Sequence, residues 1–267
     1  MKRVIRLDEP AELTGYRADN PVSNWEQMRG DATGRAAYEA VRLQLLNGQG
    51  GLCGFCEIGI HDIDPLKCRV EHFHPKSDTS TAHNWALDWQ NMIAVCMGGS
   101  QRHQQPPHAL EPLPENLSCD AHKDQMINTG RLAEYCEGWS IDPLDLPAFP
   151  SLFFLEKSTG RLLPDEQACT GIALPGNKHP STQELVQHTI DMLNLNCDRL
   201  CQARTRVLWD IERSKKSLRL QNIRSEQALR ALAERYFLQL WPGFFTTIRL
   251  CLGTAAEQYL TDTGFQG

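Results

Sequence analysis

The chain has 267 residues, 41% of them hydrophobic and 22% charged, with a net charge of −6 and ten cysteines. That length supports a real core in one large or two small domains. No apolar run approaches the roughly 20 residues of a membrane-spanning helix, and the N-terminus, basic but soon interrupted by acidic residues, does not read as a secretory signal.

The expected compartment is the cytoplasm, where disulfides are rare and cysteines serve as metal ligands or small buried apolar residues. An acidic chain lacks the basic surface that nucleic-acid binding alone usually needs. The charge is uneven, however. Residues 198–249 hold eleven Lys and Arg against five Asp and Glu, so this segment is +6 and the remainder −12. Such a segment faces phosphate, docks on an acidic partner, or is a solvated helix face.

Residues 1–30 are mostly polar, broken at Pro10, Gly15, Pro21 and Gly30, with Trp25 and Met28 spaced to pin a short helix. Tyr38, Val41 and Leu45 share a helical face over 35–46, and Gly48, Gly50 and Gly51 end it. Cys53-Gly-Phe-Cys56 suits a tight zinc knuckle. Asp62, Asp64 and Pro65 mark a turn, and 68–73 alternates as a strand ending near His74-Pro75. Residues 97–118 read as an irregular polar insertion. A helix starts at Cys119 and runs to about Asn128, with Asp120 and Asp124 in its first turns.

Residues 151–164 look like a β-hairpin turning at Gly160, and 171–180 is a linker. Ser181 and Glu184 have capping-box spacing ahead of a helix bearing Leu185, Thr189, Met192 and Leu193. Further helices are expected from Asp198 through Ile211, around Leu229 to Leu240, and from Phe244 to Leu260. The segments are 1–50 (N-terminal helical), 51–130 (core with the insertion), 131–180 (hairpin and linker) and 181–267 (helical, a partner-docking region).

The chemistry concentrates in 53–123. A second cysteine pair, Cys96 and Cys119, joins Cys53 and Cys56. Four thiolates close a tetrahedral shell around Zn²⁺ and leave no open position, which marks a structural metal. The long spacing between Cys96 and Cys119 leaves Cys68, His61, His103 and His108 as competing ligands. Cys136, Cys169, Cys197, Cys201 and Cys251 read as small buried residues. Glu71-His72 at a strand end sets a hard oxygen ligand for Mg²⁺ or Mn²⁺ beside a general base. Asn91 suits orienting that base, and Asp120 a second metal ligand. Lys76, Lys123 and Arg102 are phosphate contacts or ordinary surface charge, and His74 is a phosphate contact or structural.

Cys-x-x-Cys, Glu-His-x-x-Pro, Asn-x4-Cys and Cys-Asp-x-x-Lys together resemble the HNH endonuclease family. The resemblance implies an α+β, mostly helical fold around a zinc-stapled ββα-metal core. It implies Glu71 as metal ligand, His72 as general base, Asn91 as the central asparagine, Asp120 (or His122) as second ligand, and Lys123 as the lysine that often follows. More narrowly, Gln49-Gly-Gly-Leu-Cys-Gly-Phe-Cys-Glu57, Glu71-His-Phe-His-Pro-Lys-Ser77 and Asp88-Trp-Gln-Asn-Met92 resemble the HNH component of Septu-type, retron-associated antiphage systems, called PtuB. That likeness extends to Leu193-Asn-Leu-Asn196 and implies an ATPase partner of the PtuA type. The expectation is a metal-dependent endonuclease acting on nucleic acid, DNA over RNA. The alternative is a non-catalytic zinc module that scaffolds the partner.

Overall fold

Capping chemistry and apolar spacing build two of the three helices at the N-terminus. A computed structural model describes residues 1–61, 68–100, 114–238 and 241–267, and places α1 at Ala11–Asp19, α2 at Trp25–Gly30 and α3 at Ala32–Gly48. α2 begins in a reciprocal cap, the Asn24 and Gln27 side chains each accepting the other's backbone amide at 2.9 Å. Val41 and Leu45 of α3 are buried and Tyr38 is half-buried against the core, as their spacing predicts. α1 escaped the periodicity because it buries only Leu13 and Tyr16, and its Gly15 reads as a break.

After α3, β1 (Cys68–His72) pairs antiparallel with β2 (Met92–Cys96), placing Cys68 opposite Cys96 and His72 opposite Met92. α4 (Cys119–Asn128) packs against β2, completing two strands followed by a helix. The hairpin forms as expected from β3 (Phe153–Glu156) and β4 (Arg161–Pro164), with Gly160 at φ +73°, a conformation that glycine adopts without steric cost. The expected turn at Asp62, Asp64 and Pro65, and Arg102, His103 and His108 of the insertion, lie outside the described residues.

The remaining helices are α5 (Glu166–Gly171), α6 (Thr182–Met192), α7 (Asp198–Leu220), α8 (Ser225–Phe237), α9 (Phe245–Leu252) and α10 (Thr254–Asp262). The single final helix expected from Phe244 to Leu260 is two helices, because Gly253 at φ +57° breaks the ladder between them. The Ser181 hydroxyl caps α6 by accepting from the Glu184 amide at 3.1 Å. The described residues are α+β, about half of them helical, with two small two-stranded sheets. Among the described residues no helix is long and apolar enough to cross a membrane.

One hydrophobic core runs from Leu13 and Met28 through Leu52 and Ile93 to Ile190, Leu208 and Phe245. Polar ties reinforce it. Glu57, next to the knuckle, accepts from the Thr246 amide at 2.8 Å and the Thr246 hydroxyl at 2.5 Å, bolting the knuckle to α9. Asn194 donates to the carbonyls of Glu115 (2.9 Å) and Leu117 (2.8 Å), and the Leu193 carbonyl accepts from the Cys119 amide at 2.7 Å. Asn196 pairs with both backbone groups of Leu162 at 2.8 Å. The Leu193-Asn-Leu-Asn196 motif is therefore a splint that aims the chain entering α4 and fixes β4.

Candidate metal centre and catalytic cleft

The four cysteines converge. Cys53 and Cys56 come from the knuckle, Cys96 from the end of β2 and Cys119 from the start of α4, and all are buried. Their sulfurs lie within 4.8 Å of one another, with Cys53–Cys119 at 3.9 Å, Cys56–Cys96 at 3.6 Å and Cys96–Cys119 at 3.8 Å. A tetrahedron of Zn–S bonds of about 2.3 Å has sulfur–sulfur edges of about 3.8 Å, so the cage fits zinc. None of the ten cysteines is in a disulfide. Cys68 and His61, the described competitors, are not in the cluster. Burial pushes the Cys119 thiol well up, and the neighbouring sulfurs push it further, a cost that a bound cation offsets.

The surroundings shape the cage for this use. Gln49 is buried and pairs with both backbone groups of Ala94 at 2.8 Å while donating to the Leu52 carbonyl, so the knuckle is tied to β2. The Gly98 amide donates to Cys96 Sγ at 3.4 Å. Cys119 sits at φ +55°, a costly conformation for a residue with a Cβ. Cys136, Cys169, Cys197 and Cys251 are buried elsewhere, and Cys201 is half-buried.

Beside the cage a cleft of ≈ 620 Å³ is lined by Trp25, Arg29 and Tyr38 of the N-terminal helices, by β1, by Lys76, and by Asp120, Lys123 and Asp124 of α4. It brings together Glu71, His72, Asp120, Lys76 and Lys123. His72 is only 8% exposed, stands edge-on to Trp25 with ring centroids 4.8 Å apart, and has Nε2 3.0 Å from the Ala86 carbonyl. A carbonyl only accepts, so Nε2 carries the hydrogen and Nδ1 holds the lone pair. Burial pulls the imidazole down to about 4, which keeps it neutral at neutral pH.

The two acids are met by cations across the cleft. Lys123 Nζ pairs with Glu71 Oε1, and Arg69 Nε lies 2.8 Å from Asp120 Oδ2. Asp120 Oδ1 is buried and has no hydrogen-bond partner. Burial raises the Asp120 and Asp124 carboxyls and lowers Lys123. Two acids lining one cleft, one of them with an orphaned oxygen, fit a hard divalent cation with water completing its shell. Among the described residues, the only preassembled group of three or more metal-ligating side chains is the cysteine cage.

The other expected residues are placed differently. The Asn91 carboxamide bonds the backbone of His74, accepting from its amide at 2.6 Å and donating to its carbonyl at 2.9 Å, and donates to the Trp85 carbonyl at 3.0 Å. It thus fixes the turn that follows His72 rather than the imidazole itself. His74 Nδ1 pairs with Glu137, and its Nε2 with Asp78 at 2.8 Å, while its ring stacks on Trp85. It lines a separate cavity of ≈ 440 Å³. His122 Nδ1 lies 2.8 Å from the Met192 carbonyl, and His122 does not line the cleft, whereas Asp120 does. Sequence reasoning missed Trp25, Arg69 and the Ala86 carbonyl. No motif marks a tryptophan forty-seven residues upstream of a histidine, or a backbone acceptor, though Arg69 shares the strand of Glu71 at a spacing of two.

No protein-family profile matches the chain. It is 34% identical over 257 residues, 93% of this chain and 92% of the relative, to a retron Ec83 protein of Escherichia coli that is named as an HNH endonuclease. At that level of identity over nearly the full length of both proteins, the chain belongs to the HNH endonuclease family.

Proposed function

We propose that the chain hydrolyses phosphodiester bonds of nucleic acid, DNA in preference to RNA, as the metal-dependent nuclease of an antiphage system under the control of an ATPase partner of the PtuA type. The observation that carries this reading is the fixed tautomer of His72 in the cleft that also holds Glu71 and Asp120. Mg²⁺ or Mn²⁺ held by Glu71 and Asp120 would neutralise charge on the scissile phosphate and the leaving oxygen. His72 accepts the proton of the attacking water at Nδ1 while Nε2–H stays on Ala86. Asn91 holds the turn beyond His72 rigid, and Lys76 and Lys123 contact phosphate. Zn²⁺ in the cysteine cage maintains the relative position of β2, α4 and the knuckle.

The test is the chain co-purified with its neighbouring gene product and assayed on plasmid, single-stranded DNA and RNA with Mg²⁺ or Mn²⁺, with and without ATP. DNA cleavage that requires the metal is expected. Cleavage in chelator, or of RNA alone, overturns the reading. Asp120→Asn is expected to slow cleavage more than about 10²-fold, beyond the effect of losing an outer-sphere partner. His122→Ala, which removes a group held on Met192, is expected to cut at close to the wild-type rate. The reverse ranking would exchange the two residues.

For the partner, α7 offers a face. Gln202, Arg206, Trp209, Arg213, Lys216 and Leu220 follow at three- and four-residue intervals, all exposed, with Trp209 at 65% and Leu220 at 77%. Tryptophan and arginine dominate interface energetics. Trp209→Ala is expected to weaken partner binding by about 30-fold, the loss of one hot spot of about 2 kcal/mol. Unchanged binding by titration calorimetry would place docking elsewhere. A truncation ending near Gly176 is not a usable probe, because it removes Thr246 and Asn194 from Glu57 and the α4 entry.

A further inference from the structure

Two ion pairs cross the cleft in opposite senses. β1 contributes a cation, Arg69, to an acid of α4, Asp120; α4 contributes a cation, Lys123, to an acid of β1, Glu71. Both acids are those read above as ligands of the catalytic cation. We infer that Arg69 and Lys123 hold the places of that cation in the resting protein and become phosphate ligands when it enters, so that divalent metal and nucleic acid bind cooperatively.

A carboxylate oxygen engaged by an ammonium or guanidinium group is a poor metal ligand until the pair opens. Opening it without replacement strands a charge in a poorly solvated place, since the side chains of Lys123 and Glu71 are only 8% and 12% exposed. Metal alone therefore frees two cations with no anion to meet, and nucleic acid alone draws Arg69 and Lys123 away from two acids with nothing to neutralise them. Bound together, each ligand satisfies the groups that the other releases, and the cost of breaking the pairs is borne once. Two details fit an exchangeable pair. Arg69 Nε approaches Asp120 Oδ2 to 2.8 Å yet makes no aligned hydrogen bond, and the buried Asp120 Oδ1 has no partner, so a cation meeting that oxygen displaces no hydrogen bond. Arg29 and Lys76 line the same cleft, with Lys76 held on Glu26 at 2.5 Å, so released cations join others already facing the substrate.

This inference rests on the metal-dependent reading above, and its test separates the two. Mn²⁺ affinity of the full-length chain is measured by electron paramagnetic resonance, without DNA and with a short duplex. A His72→Asn background prevents turnover, and zinc content and circular dichroism verify the fold of each variant. With all other residues wild type, the duplex is expected to tighten Mn²⁺ by about 5- to 150-fold, the usual range of coupling between sites. Lys123→Gln and Arg69→Gln are each expected to bind Mn²⁺ more tightly than the parent without DNA, to bind the duplex more weakly, and to show little remaining coupling. Arg69, whose side chain is 31% exposed, serves if the more buried Lys123 variant fails to fold. Glu71→Gln is expected to lose Mn²⁺ affinity. A parent that binds no Mn²⁺ even with duplex overturns the metal-dependent reading itself. A parent that does bind it, with both cation variants binding no more tightly, overturns the place-holding role alone.

Discussion

Replacing His72 with asparagine is expected to reduce cleavage by about 10²- to 10⁴-fold, the usual contribution of a positioned general base. Asparagine suits this test better than alanine. The imidazole is buried, edge-on to Trp25 and hydrogen-bonded to Ala86, so truncation to alanine leaves both a cavity and an unpaired carbonyl. Asparagine refills part of the ring's space with a polar side chain but carries no basic nitrogen. The expected result is a protein of near wild-type zinc content and melting temperature that binds DNA and does not cut it. Because burial holds His72 at about 4, the imidazole is already unprotonated at pH 6, and cleavage is expected to lack the steep acid-side loss that an ordinary histidine near 6.5 produces. Cleavage by the asparagine variant at the wild-type rate would remove His72 from the chemistry.

The residues around His72 indicate what a sequence displays and what it hides. Cysteine spacing, Glu71-His72 and the helix starting at Cys119 were legible because each is a local pattern with a chemical reason behind it. Which of Asp120 and His122 lines the cleft was not, because two residues along a helix turn the side chain by more than half a circle, and the long insertion hid the phase. It is the Met192 carbonyl, seventy residues away, that takes His122 out of the cleft. Asn91 was recognisable as an organising residue, but its partner is the backbone of His74, which sequence cannot specify. The same holds for Trp25 and Arg69, whose roles come from tertiary placement of unremarkable positions. The final helices show a different failure: Gly253 lies within a continuous apolar period, and periodicity alone spans it.

Cys53→Ser is expected to abolish zinc binding and, with it, the folded state of the region around the cleft. The magnitudes decide this. Structural zinc in small domains contributes about 10–16 kcal/mol at neutral pH, whereas a whole domain is stable by only about 5–15 kcal/mol. The metal's share is thus comparable to the total. The effect should also be concentrated. The cage joins the knuckle, the end of β2 and the first residue of α4, and that residue, Cys119, is held at φ +55°. Release of Cys119 frees the helix that carries Asp120 and Lys123, so catalytic geometry is lost together with the staple. Cys68→Ser is the matched control, a buried cysteine directly opposite Cys96 in the strand register but outside the cage. It is expected to retain one zinc per chain by elemental analysis and to cut DNA, while Cys53→Ser retains none and melts at a markedly lower temperature. If Cys53→Ser keeps its zinc, or Cys68→Ser loses it, the four-sulfur assignment is wrong and Cys68 takes a place in the shell.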